Sequence, residues 1–98
     1  MNSSTNNPVP RFQLGRVAIT PAAQTALDAA GVPGVLLLTQ HVHGDWGDMT
    51  EHDQLQNELA VVLELRVLSS YMLPDGKKVW IITEADRSAT TILLPDDY

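Results

Sequence analysis

Between Leu65 and Leu94 the chain carries three β-prone runs separated by two short turn signals, and this pattern limits the fold more than any other feature. Leu65, Val67, Ser69, Tyr71 and Leu73 alternate with Arg66, Leu68, Ser70 and Met72, as side chains on the two faces of a strand do. Pro74-Asp75-Gly76-Lys77 supplies a turn. Lys78–Glu84 (KVWIITE) is β-branched and aromatic, as a strand interior should be. Ala85–Ser88 (ADRS) makes a second turn, and Ala89–Leu94 (ATTILL) a third strand closed by Pro95. Consecutive strands with short connections pair as an antiparallel meander.

What precedes the meander reads mainly as helix. Leu14–Thr20 suits a short edge strand, and Thr20-Pro21 then looks like an N-cap followed by proline at the first helical position. Ala22, Ala23, Ala26, Leu27 and Ala30 favour a helix that Gly31 is placed to end. Pro33-Gly34 opens a second helical segment through Val42, with Val35, Leu38 and Val42 at helical spacing and Gly44 as its stop. Thr50 with Asp53 three positions on fits a capping box, so a third helix should run from about Glu51 to Val61. Its apolar residues Leu55, Leu59 and Val62 are expected to face inward, although ELAVVLELRVL suits helix or strand almost equally. Helices first and strands second predict an α+β domain. Two or three N-terminal helices should pack on one face of a C-terminal antiparallel meander of three or four strands. Met1–Pro10 is Ser/Asn/Pro-rich, so residues 1–11 read as a flexible tail and residues 12–98 as a single domain.

Composition narrows the function. Ninety-eight residues with 44% apolar and 18% charged content make one globular unit. Twelve acids against six bases leave a net charge of −6. The bases Arg11, Arg16, Arg66, Lys77, Lys78 and Arg87 form no stripe, so duplex DNA is not an expected partner. An acidic surface suits a basic protein partner or simply solubility. With no cysteine, disulfides, thiolate metal sites and cysteine nucleophiles are excluded. No apolar run approaches the roughly 20 residues that span a bilayer, and no leader pattern opens the chain. The expected setting is therefore cytoplasmic and away from membranes. No cofactor motif is present.

Three groups of residues are candidates for chemistry. His41, His43, Asp45, Asp48 and His52 lie close together, but their spacing does not force the convergence of ligands that a metal requires. A capped, charged loop accounts for them, and no metal is assigned. Trp46, between Gly44 and Gly47, either folds onto the core or projects as a contact anchor. With Asp45 and Asp48 it forms the candidate binding set. At the C-terminal hairpin, Glu84 or His41 would take the proton of a ribose 2′-hydroxyl. Arg87 would stabilise phosphorane charge, and Thr90 or Thr91 would hold a phosphate oxygen. The same residues also make ordinary turn and strand chemistry, with Glu84 and Arg87 as a surface pair worth under about 1 kcal/mol.

The stretches LGRVAITPAA, QHVHGDWGD and YMLPDGKKVWIITEADRSATTILLPDDY resemble a family of small "plasmid-related" proteins of bacterial plasmids and integrative elements. The resemblance spans Leu14–Tyr98 and implies an element-encoded protein; taken with the −6 charge and the absent cofactor motifs, it leads to the expectation of a module that binds a host or element protein in element maintenance or defence evasion. More remotely, the order of helices and sheet is similar to the barnase-like and colicin-type RNase superfamily. That similarity implies His41, Thr90 or Thr91, and Arg87 as members of a metal-independent ribonuclease site, to which the hairpin reading adds Glu84, and RNA as partner.

Overall fold

In a computed structural model that describes residues 9–98, strand β1 (Arg16–Ile19) leads into three helices. These are α1 (Pro21–Ala30), α2 (Gly34–Val42) and α3 (Glu51–Leu63). Strands β2 (Val67–Met72), β3 (Lys78–Thr83) and β4 (Ala89–Leu93) follow, with a short 3₁₀ turn over Pro95–Asp97. The domain is α+β. The expected meander is present, since β2 pairs with β3 and β3 with β4, both antiparallel. The sheet is nevertheless mixed: its order is β1-β4-β3-β2, and β1 lies parallel to β4, with Val17 opposite Thr90 and Ile19 opposite Ile92. One strand thus precedes the helices, and the helical segment carries the chain from one sheet edge to the other.

Local signals behave as their chemistry dictates. The Thr20 hydroxyl accepts the Ala23 N–H at 3.2 Å, Pro21 opens α1, and Gly31 closes it with φ 70°. The Thr50 hydroxyl accepts the Asp53 N–H at 3.1 Å. α3 continues past Val61 to Leu63 and ends on Glu64, itself left-handed at φ 57°. Among the described residues no single helix is long and apolar enough to cross a membrane. Of the expected tail, residues 1–8 lie outside the described residues. Arg11 is not part of a tail: its N–H donates to the Val42 carbonyl and its side chain to Glu58.

The main core joins Ala23, Ala26 and Leu27 of α1 and Leu37 of α2 to Tyr71, Val79, Ile81 and Ile92 on the facing strands. A second cluster holds Trp46, Ala60 and Val67, with Phe12, Met49 and Val61 packed against it. α3 belongs to this second cluster and runs along the β2 edge of the sheet.

That position overturns one expectation. Leu55, Leu59 and Val62 do not face inward; they are 62%, 52% and 73% exposed, and the buried residues of α3 are Asn57 and Ala60. The cause is the edge strand itself, whose outward backbone groups must find partners when covered. Asn57 supplies both at Leu68, accepting its N–H at 3.1 Å and donating to its carbonyl at 2.6 Å. One residue pair further along, the Ser70 N–H donates to the Trp46 carbonyl and the Ser70 carbonyl accepts the Asp48 N–H. This close approach needs a glycine between them. Gly47 sits at φ 80°, and a Cβ there would overlap the Ser70 carbonyl oxygen.

Candidate functional site

His41, near the end of α2, is fully buried against the helix-facing side of the sheet. Its Nδ1 lies 2.5 Å from the Ser69 hydroxyl of β2 and its Nε2 lies 2.9 Å from the Thr83 hydroxyl of β3. Thr83 is in turn 2.7 Å from the Thr90 hydroxyl of β4, which donates to the Leu14 carbonyl at 2.7 Å. Counting protons orients this line. Each hydroxyl has one proton. Thr90 commits its own to Leu14, so Thr83 must donate to Thr90. The His41 Nε2–H then donates to Thr83, and the bare Nδ1 accepts from Ser69. The network therefore fixes a proton on Nε2, and in the neutral imidazole it leaves Nδ1 as the acceptor. Burial first, and the positive charge of Arg87 second, lower the His41 pKa from 6.5 to about 4, which agrees with that neutral form.

Aromatic rings close the site. Phe12 meets the His41 ring edge-on at 5.1 Å and stacks on Trp46 at 6.2 Å. Trp46 is 3% exposed and its indole N–H donates to Glu58 at 3.0 Å, so it lies in the core rather than projecting as an anchor. Arg11 binds both Glu58 oxygens, at 2.9 and 2.7 Å, and sits over the Trp46 ring. Hydrogen bonds from Arg11 and then Trp46 hold the Glu58 carboxyl below its ordinary pKa.

The remaining candidate residues are also engaged. Arg87, left-handed at φ 61°, gives its guanidinium to the carbonyls of Leu65, Glu84, Ala85 and Ala60, and lies over Phe12. Its bond to Ala60 places a cation at the C-terminal turn of α3, where the helix dipole favours one. Glu84 pairs with Arg66 at 3.3 Å and not with Arg87. Thr91 lies on the opposite sheet face from Thr90, half-buried, with Ile82 as its cross-strand neighbour. The Asp45 carboxylate accepts from Gln40 and from the Gly47 N–H, and its carbonyl accepts the Tyr71 hydroxyl at 2.6 Å. Asp48 pairs with Lys78 at 3.3 Å. Among the described residues, no group of His, Asp and Glu converges as metal ligands would.

Sequence reasoning grouped His41 with Glu84, Arg87 and either Thr90 or Thr91; of the two threonines the structure links Thr90 to His41, through Thr83. It missed Ser69, whose place in an alternating strand gave no polar signal of its own, and Asn57. The apolar face of α3 is a further surface feature: Leu55, Leu59, Val62 and the 60%-exposed Leu63 lie opposite the helix's buried side. A shallow depression lined by Glu51, Gln54, Leu55 and Glu58 borders it. The chain matches no family model, no curated protein and no solved structure.

Proposed function

We propose that this chain is a protein-interaction module whose contact surface is the outer face of α3. The observation that carries the reading is the exposure of Leu55, Leu59, Val62 and Leu63 on one side of a single helix. Isolated exposed leucines are ordinary, whereas a contiguous apolar stripe on a soluble surface marks a contact site. In keeping with the resemblance to plasmid-related proteins, the bound protein belongs to the host or to the element, and the module serves element maintenance or defence evasion. The test is a comparative capture from host lysate with the wild type and a Leu55→Gln/Leu59→Gln variant of unchanged melting temperature. A defined protein recovered only by the wild type supports the reading, and identical recovery by both defeats it.

A metal-independent ribonuclease is the second reading. What favours it is the contact line from His41 to Thr83 and Thr90, with the Arg87 charge acting on the imidazole. Against it stand the complete burial of His41 and Thr90 and the four carbonyls that occupy Arg87. A general base must reach its proton, and a phosphate must reach both groups. Incubating the protein with labelled RNA in EDTA decides the matter: no cleavage removes the ribonuclease.

A further inference from the structure

We infer that the outer face of α3 receives an amphipathic helical segment whose apolar residues are flanked by Lys or Arg. This rests on the protein-binding reading above and adds the chemistry of the partner. Leu55, Leu59 and Val62 recur at the spacing that aligns side chains along one helix face, and Leu63 widens the stripe. Such a stripe is the natural counterpart of another helix laid along it, read through its own apolar residues one turn apart.

The charges around the stripe choose between occupants. α3 contains Glu51, Asp53 and Glu58 and neither Lys nor Arg, and Glu64 follows at its end. Glu51 stands one turn before Leu55 on the same face, and the depression that joins Glu51, Gln54, Leu55 and Glu58 brings carboxylates against the apolar surface. Arg11 is the cation that reaches this helix from the N-terminal segment, and both of its bonds are already committed to Glu58. A second copy laid along α3 in either direction would set acid against acid, because the helix offers neither Lys nor Arg in return and its His52 carries no formal charge at pH 7. An anionic lipid surface is repelled for the same reason. A segment with basic flanks meets opposite charge on the border that carries Glu51, beside the Arg11-paired Glu58, and again at Glu64 past the helix end, which speeds encounter and fixes orientation.

The experiment titrates two synthetic helical peptides into the isotope-labelled full chain and follows its amide resonances. Both carry leucines one turn apart; one has Lys at the flanking positions and the other Glu. The expected result is a set of shifts confined to α3 for the Lys peptide, with affinity at least about tenfold above that of the Glu peptide at low salt. That preference should shrink as salt screens the flanking charges, and binding should be lost in Leu59→Gln. Equal affinity for the two peptides, or shifts away from α3, overturns the proposed chemistry. So does sedimentation as a dimer that Leu59→Gln dissolves, since a second copy is then the occupant. Binding to phosphatidylglycerol vesicles in preference to the Lys peptide overturns it in favour of a membrane. Failure of both peptides overturns the basic-helix partner alone, because the lysate comparison reports on protein binding independently.

Discussion

Two regions of this molecule invert the usual distribution of polarity. Beneath α2, an imidazole and three hydroxyls from Ser69, Thr83 and Thr90 are shut inside the protein, while on α3 three leucines and a valine are left in solvent. The inside polar line is satisfied link by link and ends on a backbone carbonyl, so its burial incurs no orphaned group. Among the described residues the outside apolar stripe has no such compensation. The contrast separates a device that stabilises the fold from a surface that the described residues leave open to solvent.

The sharpest way to break this comparison is to remove the imidazole. His41→Ala leaves a cavity and deprives Ser69 and Thr83 of their partner, and should cost about 3–5 kcal/mol in urea unfolding. A loss below about 1 kcal/mol would show that the line is not structural. Acid makes a second test. The folded-state pKa of His41 lies near 4, below its ordinary 6.5, so the unfolded chain binds more protons between these values and stability falls as pH drops through that window. The His41 share of that loss approaches roughly 3 kcal/mol at its limit, is fully regained above about pH 6.5, and should vanish from the pH profile of a His41→Asn variant. Retention of the same slope in that variant would assign the acid sensitivity to the carboxylates.

Smaller effects sharpen the contrast. Thr83→Val and Thr90→Val each interrupt the hydroxyl chain and should cost about 1–2 kcal/mol, with the double variant costing less than the sum because the two share one bond. Independent, additive losses would mean that the hydroxyls do not act as a line. The smallest effect belongs to the other region: Leu59→Gln should change stability by no more than about 0.5 kcal/mol. A loss above about 2 kcal/mol would place Leu59 in the core after all.

The legible parts of the sequence were those that act locally. The turns at Pro74–Lys77 and Ala85–Ser88, the Thr20 and Thr50 caps and the Gly31 stop are formed by residues a few positions apart, and each does what its chemistry suggests. The association of His41 with Thr90 or Thr91 rests on the hairpin's residues and the resemblance to an RNase-like layout, and the choice of Thr90 comes only with the sheet faces. The closure of that site was not legible. It depends on Phe12 and Trp46 arriving from separate segments to cover the imidazole, and on Arg87 spending its guanidinium on carbonyls of α3 and the turn.

By itself, then, the sequence determined the order and type of the elements, the meander and the helix starts, because propensity, capping and turn chemistry are settled within a few residues; the end of α3, in a run that suits helix and strand alike, was not settled that way. Only the tertiary structure decided that β1 joins β4 in parallel, that His41 is sealed, and which side of α3 is buried. Periodicity reveals that a helix has an apolar stripe but not what surface it will meet. Here α3 met the edge of a sheet, where the Leu68 N–H and carbonyl required partners, and the polar Asn57 satisfied that requirement as Leu55, Leu59 and Val62 could not.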